Sequence, residues 1–418
     1  MVKHTKQNRI IPSFCEMFLH SILYSYVIYP FHYVGNIFQC FAHKKIYFVT
    51  KMKNVRIIAF YLPQYYPTKT NNENYEVGFT EWTNVRKARP LFKGHYQPKV
   101  PTELGYYDLR DADVKERQVE LAKEAGIEGF CYYHYWFGEG REELDLPLKQ
   151  IIQHKRPDFP FCLCWANQSW YAKFWNKDVN PNEKLIIEQK YDNKDWRRKH
   201  FLSLLSVFKD ERYIKVNGKL LYMIYRPLEY KEVGVFMEDW QRLSREYGLP
   251  GFYFIGQAIN DMEISQILTL GFDGVNIVRK NEYKHLWRYN NSIIKYWNKM
   301  LRFLGYAPYH YNYKKIYHTF IQKDGLECKD NVFPSLLPNW DHSPRSGKRG
   351  EVFYNSTPAL FRKHTEDALQ VVKDKPDELK LLFLKSWNEW GEGNYMEPDI
   401  KYGRGYIHAL RKALCLQL

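Results

Sequence analysis

Two glutamates three residues apart, Glu389 and Glu392, stand in the run Lys385-Ser-Trp-Asn-Glu-Trp-Gly-Glu-Gly-Asn394. Paired carboxylates do general acid–base work, and at a glycosidic bond one gives a proton while its neighbour acts as base or nucleophile. On a continuing strand the two side chains would diverge. Gly391 and Gly393 permit a tight turn that aims both the same way. Helix-like turn geometry sets such Cβ atoms about 5–6 Å apart, near the carboxylate separation of retaining glycosidases. Two carboxylates that close push their proton affinities apart, so one holds a proton while the other stays ionised. The competing reading is a surface turn with both groups solvated. Glu397, in Met396-Glu-Pro398, reads as a structural carboxylate.

Aromatic, amide and acidic side chains gather in four further runs. Tyr61-Leu-Pro-Gln-Tyr65-Tyr-Pro67 offers Tyr65, and Tyr132 to Phe137 offers His134, Tyr135 and Trp136. Cys164-Trp-Ala-Asn-Gln-Ser-Trp170 offers Trp165, Asn167 and Trp170, while Pro338-Asn-Trp-Asp-His342 offers Trp340 and Asp341. Asn388 and Trp390 flank Glu389 itself. Such rings present a flat apolar face with a polar handle, which suits a sugar and equally suits a core. These are the candidate substrate contacts, and His134 divides evenly between sugar contact and core histidine. Arg345 and Lys348-Arg349 suit a phosphate or acidic sugar, but a solvated loop is the preferred reading. Asp111-Ala-Asp113 matches the D-x-D of metal-dependent glycosyltransferases, yet it heads a helix, where capping explains it. No zinc-ligand spacing and no phosphate-cradling glycine loop is present, so no metal and no cofactor is expected.

Those runs stand where apolar segments stop. The expected strands are Val55–Leu62, Gly129–Tyr135, Phe161–Ala166, Leu220–Tyr225, Phe252–Gln257, Gly274–Val278, Val332–Leu337 and Leu381–Trp387. They are continuous rather than alternating, as for strands covered on both faces. Helices are expected between them over 113–125, 144–154, 195–208, 235–247, 263–270, 309–322, 358–372 and 406–414, with Asp113 as an N-cap and Gly126 as a stop. Eight βα units in order predict a (β/α)8 TIM barrel, with long insertions after strands 1 and 6. A doubly wound sheet is the alternative, but no G-x-G-x-x-G follows any strand. Barrels build their sites at strand C-termini, where all five runs fall.

The 418 residues carry 62 Lys+Arg against 47 Asp+Glu and 17% aromatics. Mean hydropathy is −0.58. A polytopic membrane protein and a disordered chain are excluded. The charge is diffuse apart from Lys348-Arg349 and Trp196-Arg-Arg-Lys199, so nucleic acid is not the expected partner; an oligosaccharide or polysaccharide is. Seven cysteines without repeated spacing point to reduced thiols and a cytoplasmic setting. Residues 17–42 lack charge and are long enough to span a bilayer, but His, Asn, Gln and Pro interrupt them. Residues 1–51 are therefore read as an N-terminal extension, from a mis-called start ahead of Met52 or else as a membrane anchor or a structured cap, ahead of a barrel domain over 52–418. An association with the inner membrane or a lipid-linked glycan follows from the second possibility.

The runs Gly78-Phe-Thr-Glu-Trp-Thr-Asn-Val85, Gly94-His-Tyr-Gln-Pro98, Gly105-Tyr-Tyr-Asp-Leu-Arg110, Phe130 to Phe137, Cys164-Trp-Ala-Asn167 and Trp387 to Gly393 resemble the WbsX proteins of O-antigen and capsule gene clusters. These are related to glycoside hydrolase family 99, the endo-α-mannosidases. The likeness runs from about Val55 to the C-terminus. It implies a (β/α)8 fold and a retaining mechanism at α-mannoside-like bonds. By position, Glu389 would deprotonate the sugar 2-hydroxyl to give a 1,2-anhydro intermediate, and Glu392 would act as acid, then base. Where the family often reads W-A-N-E-N-W, this chain has Trp165-Ala-Asn-Gln-Ser-Trp170, so Gln168 replaces a carboxylate. Many WbsX proteins are labelled glycosyltransferases from gene context. A donor-dependent transferase and a sugar-binding barrel without turnover are the alternatives to a hydrolase.

Overall fold

Eight parallel strands close on themselves: β1 (Arg56–Tyr61), β2 (Gly129–Trp136), β3 (Phe161–Trp165), β4 (Lys219–Ile224), β5 (Phe252–Ala258), β6 (Gly274–Ile277), β7 (Val332–Leu336) and β8 (Leu381–Leu384). Each pairs with the next, and Arg56 beside Leu381 closes the ring between β1 and β8. The structure, a computed structural model, describes residues 55–171, 184–191, 194–286, 291–304, 306 and 309–414. The expectations for residues 1–51 lie outside the described residues. Among the described residues, no helix is long and apolar enough to cross a membrane.

The strands are buried along nearly their whole length because side chains inside the barrel and helices outside cover both faces. Inside, Phe60 stacks on Tyr133 at 5.4 Å, and the Cys131 thiol approaches the Met223 sulfur at 3.6 Å. Outside lie α2 (Ala112–Ala125), α3 (Leu146–His154), α4 (Lys194–Ser203), α5 (Val233–Glu246), α6 (Asp261–Thr269), α8 (Pro358–Val372) and α9 (Gly405–Ala413). The insertion after β1 contributes α1 (Glu81–Lys87), and the one after β6 contributes α7 (Ser292–Phe303).

Seven strands end within one residue of expectation. The eighth stops at Leu384 rather than Trp387, because the chain bends there and both the Ser386 hydroxyl and the Trp387 N–H reach the Phe60 carbonyl. The cap of α2 is Asp111, whose carboxylate accepts from the Asp113 N–H, so Asp113 belongs to the first turn. The helix expected over 309–322 does not form. His310–Asn312 instead pairs with Val352–Tyr354, and Asn312 then caps a single turn at Tyr313–Ile316. Aromatic packing decides this: Tyr283, Tyr313, Phe320, Trp340 and Phe353 share a satellite core between the excursions after β6 and β7. The insertion after β6 therefore runs on to Val332.

Candidate active site

Past β8, Asn388–Glu389 pairs antiparallel with Asn394–Tyr395, and Trp390–Glu392 forms one 3-10 turn between them. Gly393 closes the turn with φ +58°, in the left-handed region. Gly391 is required for space, since a Cβ there would lie 1.8 Å from Glu81 Oε1. The turn is anchored from beneath. Trp390 stacks on Tyr395 with centroids 3.7 Å apart, and its indole N–H donates to Glu397 at 2.6 Å. The Asn388 amide accepts from Leu62 N–H at 2.8 Å and donates to the Leu62 carbonyl at 3.0 Å, tying the turn to the end of β1.

The two carboxylates meet different surroundings. Glu389 is 5% exposed, and its Oε2 finds no hydrogen-bond partner among the described residues. Burial pushes its carboxyl up to about 7; Lys385 and Arg345 oppose the shift, while Glu392 and Glu81 add to it. The Lys385 ammonium, 3.8 Å from Glu389 Oε2, donates to the Tyr133 hydroxyl at 2.7 Å. Burial works against its charge, but Glu389 beside it raises its proton affinity overall. Glu392 is ion-paired to Arg345 at 2.5 Å, with His342 Nε2 at 3.8 Å. Arg345 also donates through Nε and Nη2 to Glu81 Oε1, at 3.0 and 2.6 Å. Arg345 is only 6% exposed and joins a Glu81–Arg345–Glu392 relay. The expectation of a solvated arginine is thus corrected: Glu81, fully buried, needs the guanidinium to offset its charge.

Strand alternation separates the remaining candidates. Tyr135 lies on the inward face with Tyr133, and both feel the charge of Glu389. Trp170 packs edge-on to Tyr135 at 5.2 Å. His134, Trp136 and Trp165 lie on the opposite face, under α4 and α5. His134 Nε2 sits 2.9 Å from His200 Nε2, Trp136 stacks on His200 at 4.8 Å, and Trp165 stacks on Phe236 at 5.2 Å. Burial pushes the His134 imidazole down to about 3, so it is neutral near pH 7. His134 is a core histidine.

Other candidates frame the site. Asn167 donates to the Arg226 carbonyl at 2.9 Å, and the Tyr65 hydroxyl donates to the Asn388 carbonyl. Asp341 accepts from Gln97 at 2.7 Å and from the Ser343 N–H at 3.0 Å, and contacts His95 at 2.9 Å. Burial opposes its charge, but His95 and Lys99 hold its carboxyl well below the usual range. Trp340 stacks on His342 and lies 3.9 Å beneath the Lys280 ammonium. Glu397 is structural as expected: it accepts from Trp390, Gln118 and Tyr107, and burial pushes it up to about 7.

With the site laid out, relatives can be compared. The profile of the family Glycosyltransferase WbsX matches residues 57–410. The chain belongs to that family. The uncharacterised protein WxcX of Xanthomonas campestris pv. campestris (strain ATCC 33913) is 29% identical over 369 residues, covering 86% of this chain and 49% of WxcX. The chain thus spans about half the length of this relative. A solved glycoside hydrolase-like protein of 14% identity superposes with a TM-score of 0.53, covering 86% of this chain and 94% of its own, and shares the fold. The endo-alpha-mannosidase GH99 from Bacteroides thetaiotaomicron gives 0.48 at 16% identity, covering 86% and 95%.

In this WbsX-family chain the sequence reading did not single out Lys385, Tyr133 or Glu81, which lie with Glu389 and Glu392. A strict period of two counted back from Tyr135 would have chosen Tyr133 over His134. Lys385 stands four residues before Glu389, a visible spacing. Glu81 carried no signal beyond its resemblance run. Among the described residues, no group of three His, Cys, Asp or Glu is placed to hold a metal.

Proposed function

We propose that this chain is a carbohydrate-active enzyme that cleaves or rearranges glycosidic bonds of a cell-surface polysaccharide or its lipid-linked precursor. Glu389 and Glu392 are its acid–base pair. The observation that carries this reading is a buried carboxylate beside an ammonium, one of whose oxygens accepts no hydrogen bond among the described residues, on the same one-turn loop as a second carboxylate at the barrel mouth. A structural glutamate in such a place would accept hydrogen bonds, as Glu397 does seven residues away.

Burial raises the Glu389 carboxyl to about 7, into the range where a general base works best near neutral pH. Following the family resemblance, its carboxylate takes the proton of the sugar 2-hydroxyl. As O2 bonds C1, Glu392 protonates the departing oxygen. Glu392 then deprotonates the water that attacks C1 and opens the 1,2-anhydro ring while Glu389 returns its proton to O2, completing a retaining reaction at an α-mannoside-like bond. Glu81 supports this role for Glu392, because two of the three Arg345 nitrogens bond to Glu81 and only one to Glu392. The Lys385 ammonium steadies the Glu389 carboxylate, and Tyr135 and Trp170 border the sugar.

The second reading is glycosyl transfer, and the family's description favours it. Both readings are tested by incubating the purified chain with α-linked oligosaccharides and surface polysaccharides, with and without nucleotide sugars, and weighing the products by mass spectrometry. Shortened glycans without nucleotide are the expected result. Lengthening that requires a donor replaces hydrolysis with transfer, and unchanged glycans in both arms overturn an enzymatic role.

A further inference from the structure

The excursion after β6 carries a helix that the site does not use. In α7 (Ser292–Phe303) the apolar residues Ile293, Tyr296, Trp297 and Met300, with Leu304 one residue past its end, recur three and four apart, so at 100° per residue they share one side. Lys295, Asn298 and Lys299 take the other side. An apolar helix face ordinarily turns to the core. This one is open: Ile293 is 77% exposed, Tyr296 72%, Trp297 55% and Leu304 58%. Four large apolar side chains exposed on one helix and just past its end are a contiguous patch of the kind that marks an interaction site.

Charge identifies the partner. From Tyr283 to Lys323 the sequence has eight Lys and Arg and no Asp or Glu. A second copy of the chain would bring the same positive segment against itself across a symmetric interface. An anionic surface that is apolar underneath complements both sides of the helix. Cationic side chains on one face with Trp, Tyr and Leu on the other describe a helix lying in a bilayer interface. Twelve residues span about 18 Å as an α-helix, well short of the roughly 30 Å hydrocarbon core. We propose that α7 docks this protein flat on an anionic lipid bilayer, with Trp297, Tyr296 and Ile293 in the interface and Lys295 and Lys299 against the headgroups.

The position of the helix adds a consequence. The connection leaving the C-terminal end of β6 lies at the same barrel end as the Glu389–Glu392 turn, so docking would bring the mouth towards glycans carried on lipid. That consequence rests on the hydrolase reading; the lipid binding does not.

The test is co-sedimentation of the full chain with vesicles of phosphatidylcholine alone and of phosphatidylcholine mixed with phosphatidylglycerol. The full chain is expected to bind the anionic vesicles at low salt at least about tenfold more tightly than the neutral ones. Trp297→Ser should weaken binding roughly tenfold, and Lys295→Gln about fivefold. Both side chains are exposed, so unchanged melting temperatures confirm that the variants fold. Equal binding to the two lipids, no binding at low salt, or variants that bind like the parent each overturn the proposal. So does a dimer in sedimentation equilibrium that Trp297→Ser dissociates, because a second copy would then cover the face. Turnover is not read, so failure here leaves the hydrolase reading standing, and failure of that reading leaves this one.

Discussion

Along β2, adjacent residues serve opposite purposes. Tyr133 and Tyr135 face the barrel axis and the charge of Glu389, whereas His134 and Trp136 pack outward against His200. The inward region holds Glu389, Glu392, Lys385, Arg345 and Glu81 at close quarters, and there one oxygen of Glu389 and one of Glu81 accept no hydrogen bond among the described residues. The outward region, Trp136, Trp165, Trp196, His200, Phe236 and Trp240, is ring packed on ring. Both regions look alike in sequence, as aromatics at strand ends. On the proposed function, a strand end is then two sites, one for chemistry and one for stability, interleaved residue by residue.

The largest expected effect falls on the inward side. Glu392→Gln and Glu389→Gln should each lower kcat on the order of 10²–10⁴-fold. Glu389→Gln should keep its stability, whereas Glu392→Gln takes one charge partner from the buried Arg345 and should lose some stability while still folding. The carboxyl of Glu389 is raised in the fold, so its contribution to stability is complete at low pH and is lost as pH rises through about 7. Glu389→Gln never ionises, so relative to the parent it should melt higher at pH 8 than at pH 5. Calorimetry at the two pH values, beside a turnover assay, checks both halves. Full activity in either variant would remove the pair from the chemistry.

On the outward side the signs reverse. Trp165 is fully buried, so Trp165→Ala should cost about 3–5 kcal/mol of folding stability, read as a shift of the urea midpoint. The folded fraction should keep kcat within about twofold, because the Trp165 ring packs outward against His200 and Phe236. A kcat loss as deep as that of Glu392→Gln, with stability intact, would place Trp165 at the sugar after all.

The fold was legible because its signal is redundant: eight buried runs in order leave few closed arrangements. Seven of their ends were found within one residue. The Glu389–Glu392 turn was legible for a local reason, since Gly391 and Gly393 stand beside the carboxylates they turn. What was not legible depends on contacts across the chain. Glu81 and Arg345 are 264 residues apart, and nothing near either one announces a buried pair. The helix expected over 309–322 gave way to tertiary packing for the same reason: Tyr283, Phe353 and Trp340 come from three other segments. The mistaken aromatics were a failure of a different kind. The period of two was in the sequence, and counting it from the polar inward residues would have moved His134, Trp136 and Trp165 to the core.

The smallest effect is the most discriminating, because it asks how the inward region sets its proton. Glu389 is faced by Lys385 from the end of β8, by Arg345 from the loop after β7, and by Glu81 from α1. Glu392 faces it from its own turn, and Tyr133 and Tyr135 from β2. Burial raises the carboxyl, and Lys385 is the strongest influence holding it down to about 7. As a base, Glu389 must be ionised, so kcat/KM should rise as pH increases through about 7. Lys385→Met removes the cation and keeps the length of the stem. The rising limb should then move to higher pH, with kcat on the plateau changed little. A profile that instead falls above pH 7 would make Glu389 the proton donor and exchange the roles of the two glutamates. A limb that stays in place in Lys385→Met would show that the ammonium serves the packing of Phe60, Tyr133 and Tyr225, over whose rings it lies, rather than the proton on Glu389.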